Sequence, residues 1–597
     1  MENYLAYVGI DFGTSGSTFS YCFPNSTYKD ILVKKWENVG TSNKIETEII
    51  VDENFNEIKA FGKEQCVQFS RKPNSLHFSN VKMNLYKNQF EISDNYSHKK
   101  FKLIDVIAKF LEKIRDEAIK ELKTKRKSLR DLPDDQCINS IKWLITVPAI
   151  WSEKHKTCMI EAAMKAKLLK KTDDPSNFFA LEPEAAACHY VMSNNSDKEI
   201  CENPYIVCDI GGGTTDITTH ERKADKKGNF HIIELYQPVG GADGSREINR
   251  YILEEILVKK LFTQKSYDKI IEIIKKENKD DSDLKYEFNL LNDNINKFKH
   301  SFELKKINEK YMIKLEVFKE GFDEEPNLEE LVNNYNKNIK EGWKIEINNK
   351  KKWILAIPYK IIYDLFKELI VDKATKYIKN IIDNLNNRNL NKKEIKSIIF
   401  AGGASSNLSL IDLFRETLPN LNLVTCDEPE IAVVKGAIYF AKNPFYISQR
   451  IAKFSLGIES LDDWNDKLDN IPEAKKYFDE TRNTFICINK FGVYYKKNFP
   501  IKVIDKGITR EFDMRSEQCR IQFYKSDYDG PVYVTGQKDE NGNEITEKFA
   551  ELYFKVEDFD QNEPGVKITI KLGGTFISAQ IKYLKTKKKF FQTFKFS

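Results

Sequence analysis

The sequence predicts an internally duplicated α/β fold followed by a small all-β region, on three observations. Residues 205–218 read YIVCDIGGGTTDIT, residues 8–18 read VGIDFGTSGST, and from about residue 450 helical periodicity gives way to short alternating strands. In each of the first two stretches an apolar run meets an aspartate and a glycine turn rich in hydroxyl residues, the pattern of a buried strand that turns back on itself. Glycines in such a turn let backbone N–H groups converge on an anion. The aspartates beside it, Asp11 in one copy and Asp209 and Asp216 in the other, suit a hard cation that keeps most of its waters and touches phosphate oxygens. A lone GGGT turn is as readily an ordinary hairpin. Its repetition in the other half argues for one phosphate loop per half. Neither copy fits GxxxxGK[ST], which excludes a P-loop, and neither is a GxGxxG opening a helix, which disfavours a dinucleotide-binding fold.

A chain of 597 residues holds several domains, each large enough for its own core. Its 95 basic residues nearly balance 90 acidic ones, so charge does not predict nucleic-acid binding. The ten cysteines show no CxxC, and Cys22, Cys188 and Cys208 sit inside apolar patterns, as buried thiols in a reducing compartment do. With no signal-peptide pattern and no run of membrane-spanning length, a soluble cytoplasmic protein is expected.

Taken in order, residues 1–100 read as strands and turns, after which Ile104, Ile107, Leu111, Ile114 and Ala118 trace a helical face. The basic run at 123–130 reads as a solvated helix end rather than a nucleic-acid patch, because nothing aromatic interleaves. A buried strand at 141–147 stops at Pro148, and a helix with Met159, Ala163 and Ala166 follows. FFALEPEAAACHYV at 178–191 is a strand-to-helix junction with Glu182 at the strand's C-terminal end, where open α/β sheets hold ligands. Its alanines allow two lobes to pack closely, a structural role that competes with a functional one for Glu182.

VGGADGSREIN at 239–249, with Gly241, Gly244 and Ser245, is a glycine turn into a helix whose first N–H groups offer a second anion contact. Residues 250–310 read as long charged helices, and 320–352 as strands with a surface insertion. A strand and a long helix occupy 353–387. SIIFAGGASSNLSL at 397–410 is a strand, a Gly402-Gly403 turn and a helix start. PEIAVVKGAIYFA at 429–441 is a small-residue helix, and its internal Gly436, costing about 1 kcal/mol relative to alanine, implies close packing. Beyond 450, FICINKFGVYY, PIKVID, RIQFYK, PVYVT, ELYFKV, VKITIKL and FISAQIKYL alternate with turns, as in a small all-β domain. The Lys/Phe-rich stretch 582–597 reads as a frayed basic terminus in preference to a membrane or RNA contact.

This order of motifs resembles the actin-like ATPase superfamily and, within it, the heat-shock protein 70 chaperones, over nearly the whole chain. VGIDFGTS looks like the family's first phosphate loop, DIGGGTTD its second, LEPEAAA its first connecting segment and FAGGAS its adenosine motif. FSLGIES at 454–460 and YKKNFPI at 495–501 resemble parts of its substrate-binding β-sandwich. No helical lid follows and PFYISQRIAKF replaces an acidic-aliphatic linker, which is more like the divergent "member 12" branch. The implied layout is an actin-like nucleotide-binding domain at 1–445, with lobe I at 1–203 and lobe II at 204–445. A linker at 446–455 and a lidless β-rich, substrate-binding-like domain at 456–590 follow.

The resemblance implies ATP or ADP with Mg2+ (K+ being left open) between the lobes. Gly13, Thr14 and Ser15 on one side and Gly211, Gly212, Gly213, Thr214 and Thr215 on the other would grip the phosphates. Asp11 and Asp209 would hold magnesium through waters, and Glu182, Asp209 and Asp216 would orient the attacking water and ions. Lys82, in VKMNLY, is the candidate phosphate-facing lysine, with a surface lysine as the alternative. Gly241, Gly244 and Ser245 would add contacts, and Lys297, Ser301, Gly402, Gly403, Ala404 and Glu430 would face the nucleoside. Asn294 stands where the family has a glutamate, and Ala404 and Ser406 where it has serine and arginine. Loss of that flat cation weakens stacking on adenine. Phosphoryl transfer needs magnesium, positioned water and backbone donors rather than covalent help. The expected function is a slowly hydrolysing chaperone ATPase that binds unfolded client polypeptide through its β domain. It is expected to be monomeric, served by co-chaperones or exchange factors, and without nucleic-acid or membrane partners. A nucleotide-gated scaffold with negligible hydrolysis and a small-molecule kinase are the alternatives.

Overall fold

Two mixed sheets repeat one pattern of strands. In the first, Ala6–Asp11 runs antiparallel to Gly16–Cys22 and parallel to Ile141–Val147, which is parallel to Phe179–Leu181. In the second, Tyr205–Ile210 runs antiparallel to Thr215–Ala224 and parallel to Ser397–Ala401, which is parallel to Asn422–Thr425. The two glycine hairpins therefore occupy equivalent places in equivalent sheets, as the repeated motif predicts. This computed structural model describes residues 4–596 except 38–42, 70–74, 95–98, 171–172, 195–196, 227–229, 277–282, 349–352, 388–393, 481–482, 504–506, 515 and 593. Its mixed α/β architecture fits an actin-like ATPase.

Helices Glu182–Ser193 and Pro429–Lys442 fill the space between the sheets. Ala185, Ala186, Ala187, Ala432 and Ala437 share one apolar cluster with Leu144 of the first sheet and Tyr205, Val207 and Ile399 of the second. A side chain at Gly436 would stand 1.8 Å from the Ala185 carbonyl oxygen, so close packing explains that glycine. The helix face at 104–118 belongs to Leu103–Lys125.

The region from 455 onward is built of two sheets around a common core. One orders Lys476–Asp479, Thr484–Tyr495, Ser455–Asp463, Gln518–Ser526, Thr546–Lys555 and Lys595–Phe596; the other orders Ile508–Asp513, Gly565–Lys571, Ser578–Tyr583 and Lys589–Gln592.

Three local expectations are corrected. Within 582–597 the described residues include paired strands where a frayed end is expected: Lys589–Gln592 pairs with Ser578–Tyr583, and Lys595–Phe596 with Thr546–Lys555. Its phenylalanines anchor it, Phe594 packing edge-on to Phe523 at 5.1 Å between ring centres. Within 320–352, Leu328–Lys337 is a helix, started by Asn327 accepting the Glu329 and Glu330 N–H groups. Leu328, Val332 and Tyr335 give it an apolar face. The segment at 446–455 carries strand Ile447–Ile451, which pairs parallel with Phe230–Gly241 and antiparallel with Pro500–Lys502, so that it continues the second sheet.

Candidate functional site

The hairpins place three aspartates at one spot. Asp11 ends its strand, and Asp209 and Asp216 face each other across the second hairpin. Glu182 opens its helix beside the end of strand Phe179–Leu181. All four are buried, with exposures of 3%, 5%, 1% and 8% for Asp11, Asp209, Asp216 and Glu182. Carboxylates gathered away from water repel one another and favour their protonated forms. Burial first, then Glu182, Asp216 and Asp11, push the Asp209 carboxyl well above the ordinary range, against Lys44. Burial pushes Glu182 up to about 7, opposed by Lys82 and reinforced by Asp11 and Asp216. Burial also raises Asp216, whose Oδ1 accepts the Ile150 N–H at 3.0 Å.

Two lysines enter this cluster. Lys82 Nζ donates to Glu182 Oε1 at 2.5 Å and lies 5.4 Å from the Trp151 ring centre. The sequence-based alternative of a surface lysine at this position therefore fails, because Lys82 is buried. Lys44, which no motif marks, donates to Asp11 Oδ2 at 2.6 Å. Burial works against its charge, but Asp11, with Asp209 and Glu182 behind it, raises the ammonium pKa.

The glycine loops meet tip to tip. A Cβ on Gly212 would lie 2.0 Å from Ser15 Oγ, and one on Gly213 would lie 2.5 Å from Thr14 Oγ1. Gly402, at φ +83°, bends the strand end so that its Cα sits against Asp209, where a Cβ would stand 2.3 Å from Oδ1. Arg246 ties the halves together, its Nη1 donating to the Thr14 carbonyl (3.1 Å) and to Asn80 Oδ1 (2.7 Å). Anything held between the loops enters by parting them.

Several expected contacts are placed differently. The N–H groups of Ser245 and Arg246 are spent on the carbonyls of Gly211 (3.0 Å) and Gly212 (2.9 Å), so the turn at 241–245 braces the second loop instead of offering donors to an anion. Thr215 Oγ1 likewise donates to the Asp243 carbonyl at 2.8 Å, and Gly241 lies against the Asp243 carboxylate. On helix Asp283–His300, Lys297 is exposed, while Lys299 is buried with Nζ on the Ser245 carbonyl at 3.2 Å. Burial and Arg246 lower the Lys299 pKa to about 7. Ser301 hydrogen-bonds with the Tyr359 hydroxyl at 2.8 Å and donates to the Phe298 carbonyl. Gly403 is open to added atoms, Ala404 is buried, and Glu430 sits in the first turn of its helix, next to Pro429, whose carbonyl takes the Gly402 N–H at 3.0 Å.

Four buried carboxylates against two lysines leave this spot negative. Among the described residues no three His, Cys, Asp or Glu side chains converge closely enough to ligate an ion directly. The oxygen donors of Asp11, Asp209 and Asp216 are of the chemical type that suits a hard divalent cation.

No family model matches the chain. Human heat shock 70 kDa protein 12A is 26% identical over 319 residues, covering 43% of this chain and 46% of that protein. Human heat shock 70 kDa protein 12B is 23% identical over 308 residues, covering 41% and 43%. A chaperone protein HscA homolog of Rickettsia typhi is 27% identical over 257 residues, covering 41% and 38%. The chain thus spans less than half the length of these curated relatives. On these matches the chain is similar, over less than half of its length, to the member-12 heat shock 70 kDa proteins and to HscA-type chaperones.

Proposed function

We propose that the protein binds Mg-ATP between its two glycine loops, hydrolyses it slowly, and binds polypeptide through its β-rich region as a chaperone of the heat-shock-70 type. Kinship with that family supports the coarser statement of a heat-shock-70-like, ATPase-type protein. One observation carries the finer reading: an excess of buried carboxylates lies at the base of two facing glycine loops. A magnesium ion at this place would neutralise that charge and the phosphates together. Glu182, raised to about 7, is suited to take a proton from an attacking water at its free oxygen, while Lys82 holds the other. Backbone N–H groups of Gly212 and Gly213, with Thr14 and Ser15, orient the phosphates. The ten cysteines are all free thiols, which suits a reducing, cytoplasmic setting.

A nucleotide-gated scaffold with negligible turnover is the second reading. It is favoured by Lys44, whose ammonium already holds the Asp11 carboxylate.

Single-turnover ATP hydrolysis with magnesium, beside calorimetric binding, separates the two readings. Wild type is expected to bind and turn over, with Asp209→Asn and Lys82→Ala binding but slowed by about 10²-fold or more. Equal binding by all three with no turnover in any assigns the scaffold.

A further inference from the structure

Lys44 is carried by the first glycine loop. The strand that follows it, Ile45–Glu46, pairs antiparallel with Gly16–Ser17. Buried Thr47 ties the same segment down, its N–H donating to the Ser15 carbonyl at 3.2 Å and its hydroxyl to the Gly13 carbonyl at 2.7 Å. Ile45 is buried against Gly62, where a Cβ would stand 2.4 Å from its Cγ1. Backbone pairing, a buried hydroxyl and a packed side chain thus fix the point from which Lys44 reaches Asp11 Oδ2 at 2.6 Å. Because that point belongs to the loop, the ammonium stays with Asp11 when the loop moves.

The two lysines of the cleft are not equivalent. Lys82 is spent on Glu182 and keeps 5% of its side chain exposed, whereas Lys44 keeps 21% and so meets the solvent from which a ligand enters. Asp11 has a donor on each oxygen, Lys44 Nζ on Oδ2 and the Thr146 hydroxyl on Oδ1 at 3.3 Å. Lys44 also acts on Asp209, opposing the repulsion from Glu182, Asp216 and Asp11. One ammonium therefore serves two of the three aspartates whose oxygens suit a hard cation.

We infer that Lys44 is a cation built into the nucleotide site, which neutralises Asp11 and lets the phosphates of ADP or ATP bind with little need of a divalent ion. An ammonium is a compact point charge that serves carboxylate and phosphate oxygens alike. At a partly buried place that charge acts more strongly than it does in water. The inference rests on the nucleotide binding proposed above and divides it. Binding does without the ion, while hydrolysis, which develops charge on the transferring phosphoryl group, keeps its need of magnesium.

Calorimetric titration of the full chain with ADP, once in excess magnesium and once in EDTA, tests it by binding alone. For wild type the dissociation constant in EDTA is expected to exceed that in magnesium by less than about fivefold. Lys44→Met is expected to enlarge that ratio at least about fivefold, by weakening binding in EDTA more than in magnesium. Lys44→Arg keeps a cation on the same segment and is expected to hold the ratio near that of wild type, so that the charge and not the fold is read. The ratio is the readout, because a variant that only disturbs the loop weakens both values alike. A Lys44→Met ratio that does not grow so far makes Lys44 a structural support of the loop and overturns the inference. A larger wild-type ratio also overturns it, leaving nucleotide binding as proposed and assigning the charge at Asp11 to the ion. Wild type that binds ADP in neither condition overturns the nucleotide reading itself, and the role of Lys44 with it.

Discussion

Two buried charge clusters grow from the first turn of one helix. Glu182 opens Glu182–Ser193 toward the glycine loops, and Glu184 faces the junction with the β-rich region. In the junction, Glu184 pairs with Arg450 at 2.7 Å, Glu153 with Lys156 at 2.7 Å, and Glu234 accepts the Ile451 N–H at 3.0 Å while Lys453 donates to the Ala149 carbonyl at 2.7 Å. Lys156 also reaches the Thr575 carbonyl at 2.7 Å, and Glu153 takes the Ile577 N–H at 3.0 Å, so the cluster spans the contact. Three carboxylates there match three cations. In the cleft, four carboxylates face two. A self-neutral buried cluster works as a fastener, costly to break and indifferent to added ions. A cluster left negative strains the fold until a cation arrives, and such strain collects at functional sites.

The largest effect should come from breaking the fastener. Glu184→Ala strands the Arg450 guanidinium, which is buried and cannot shed its charge. The expected loss is roughly 3–5 kcal/mol in urea unfolding. Asp209→Asn in the cleft should move the other way without divalent ions, raising stability by about 1 kcal/mol because it removes a carboxylate held against its preference. Equal losses from both variants would erase the distinction between the clusters.

A pH series sharpens the contrast. Glu182 has its folded pKa raised from 4.5 to about 7. Between those values the native state keeps a proton that the unfolded chain has lost, so stability is full below the lower value and falls as pH rises through the window. The expected drop is roughly 1–3 kcal/mol, read from urea midpoints at successive pH values, and Glu182→Gln should flatten it. Magnesium should restore stability chiefly above pH 7, where the carboxylates are ionised. A magnesium effect that ignores pH would place the ion elsewhere.

What the sequence made legible follows the reach of each signal. The hairpins carry their own evidence, since glycine and aspartate at a strand end act within a few residues, and both sheets place them as expected. Lys44 carries none. It lies 33 residues from Asp11 and is delivered by the two-residue strand Ile45–Glu46 pairing with Gly16–Ser17, a register no local pattern encodes. Lys299 was within reach: Leu291, Ile295, Phe298 and Phe302 mark the inward face of its helix, and Lys299, four residues after Ile295, flanks that face while Lys297 points away from it. Strand Ile447–Ile451 hid behind its polar centre, because Arg450 is buried only by virtue of Glu184, which is distant in sequence.

The smallest effect concerns the closure of the cleft rather than its charge. Arg246 holds Thr14 and Asn80, and Lys63 pairs with Asp293, both across the halves and both partly exposed. Ties of that kind contribute about 0.5–1 kcal/mol each. Because the loops touch, parting them is a step on the path of any ligand that sits between, and lowering its cost by that amount should speed nucleotide entry and release together by about two- to fivefold. Stopped-flow measurement with a fluorescent ADP should show this for Arg246→Ala and Lys63→Ala, with the equilibrium constant and urea stability nearly unchanged. Lys453→Ala, a junction residue, should leave both rates alone. Rates that respond to Lys453 and not to Arg246 would mean that the junction, and not the loop contact, governs access to the cleft, and the roles of the two clusters would have to be exchanged.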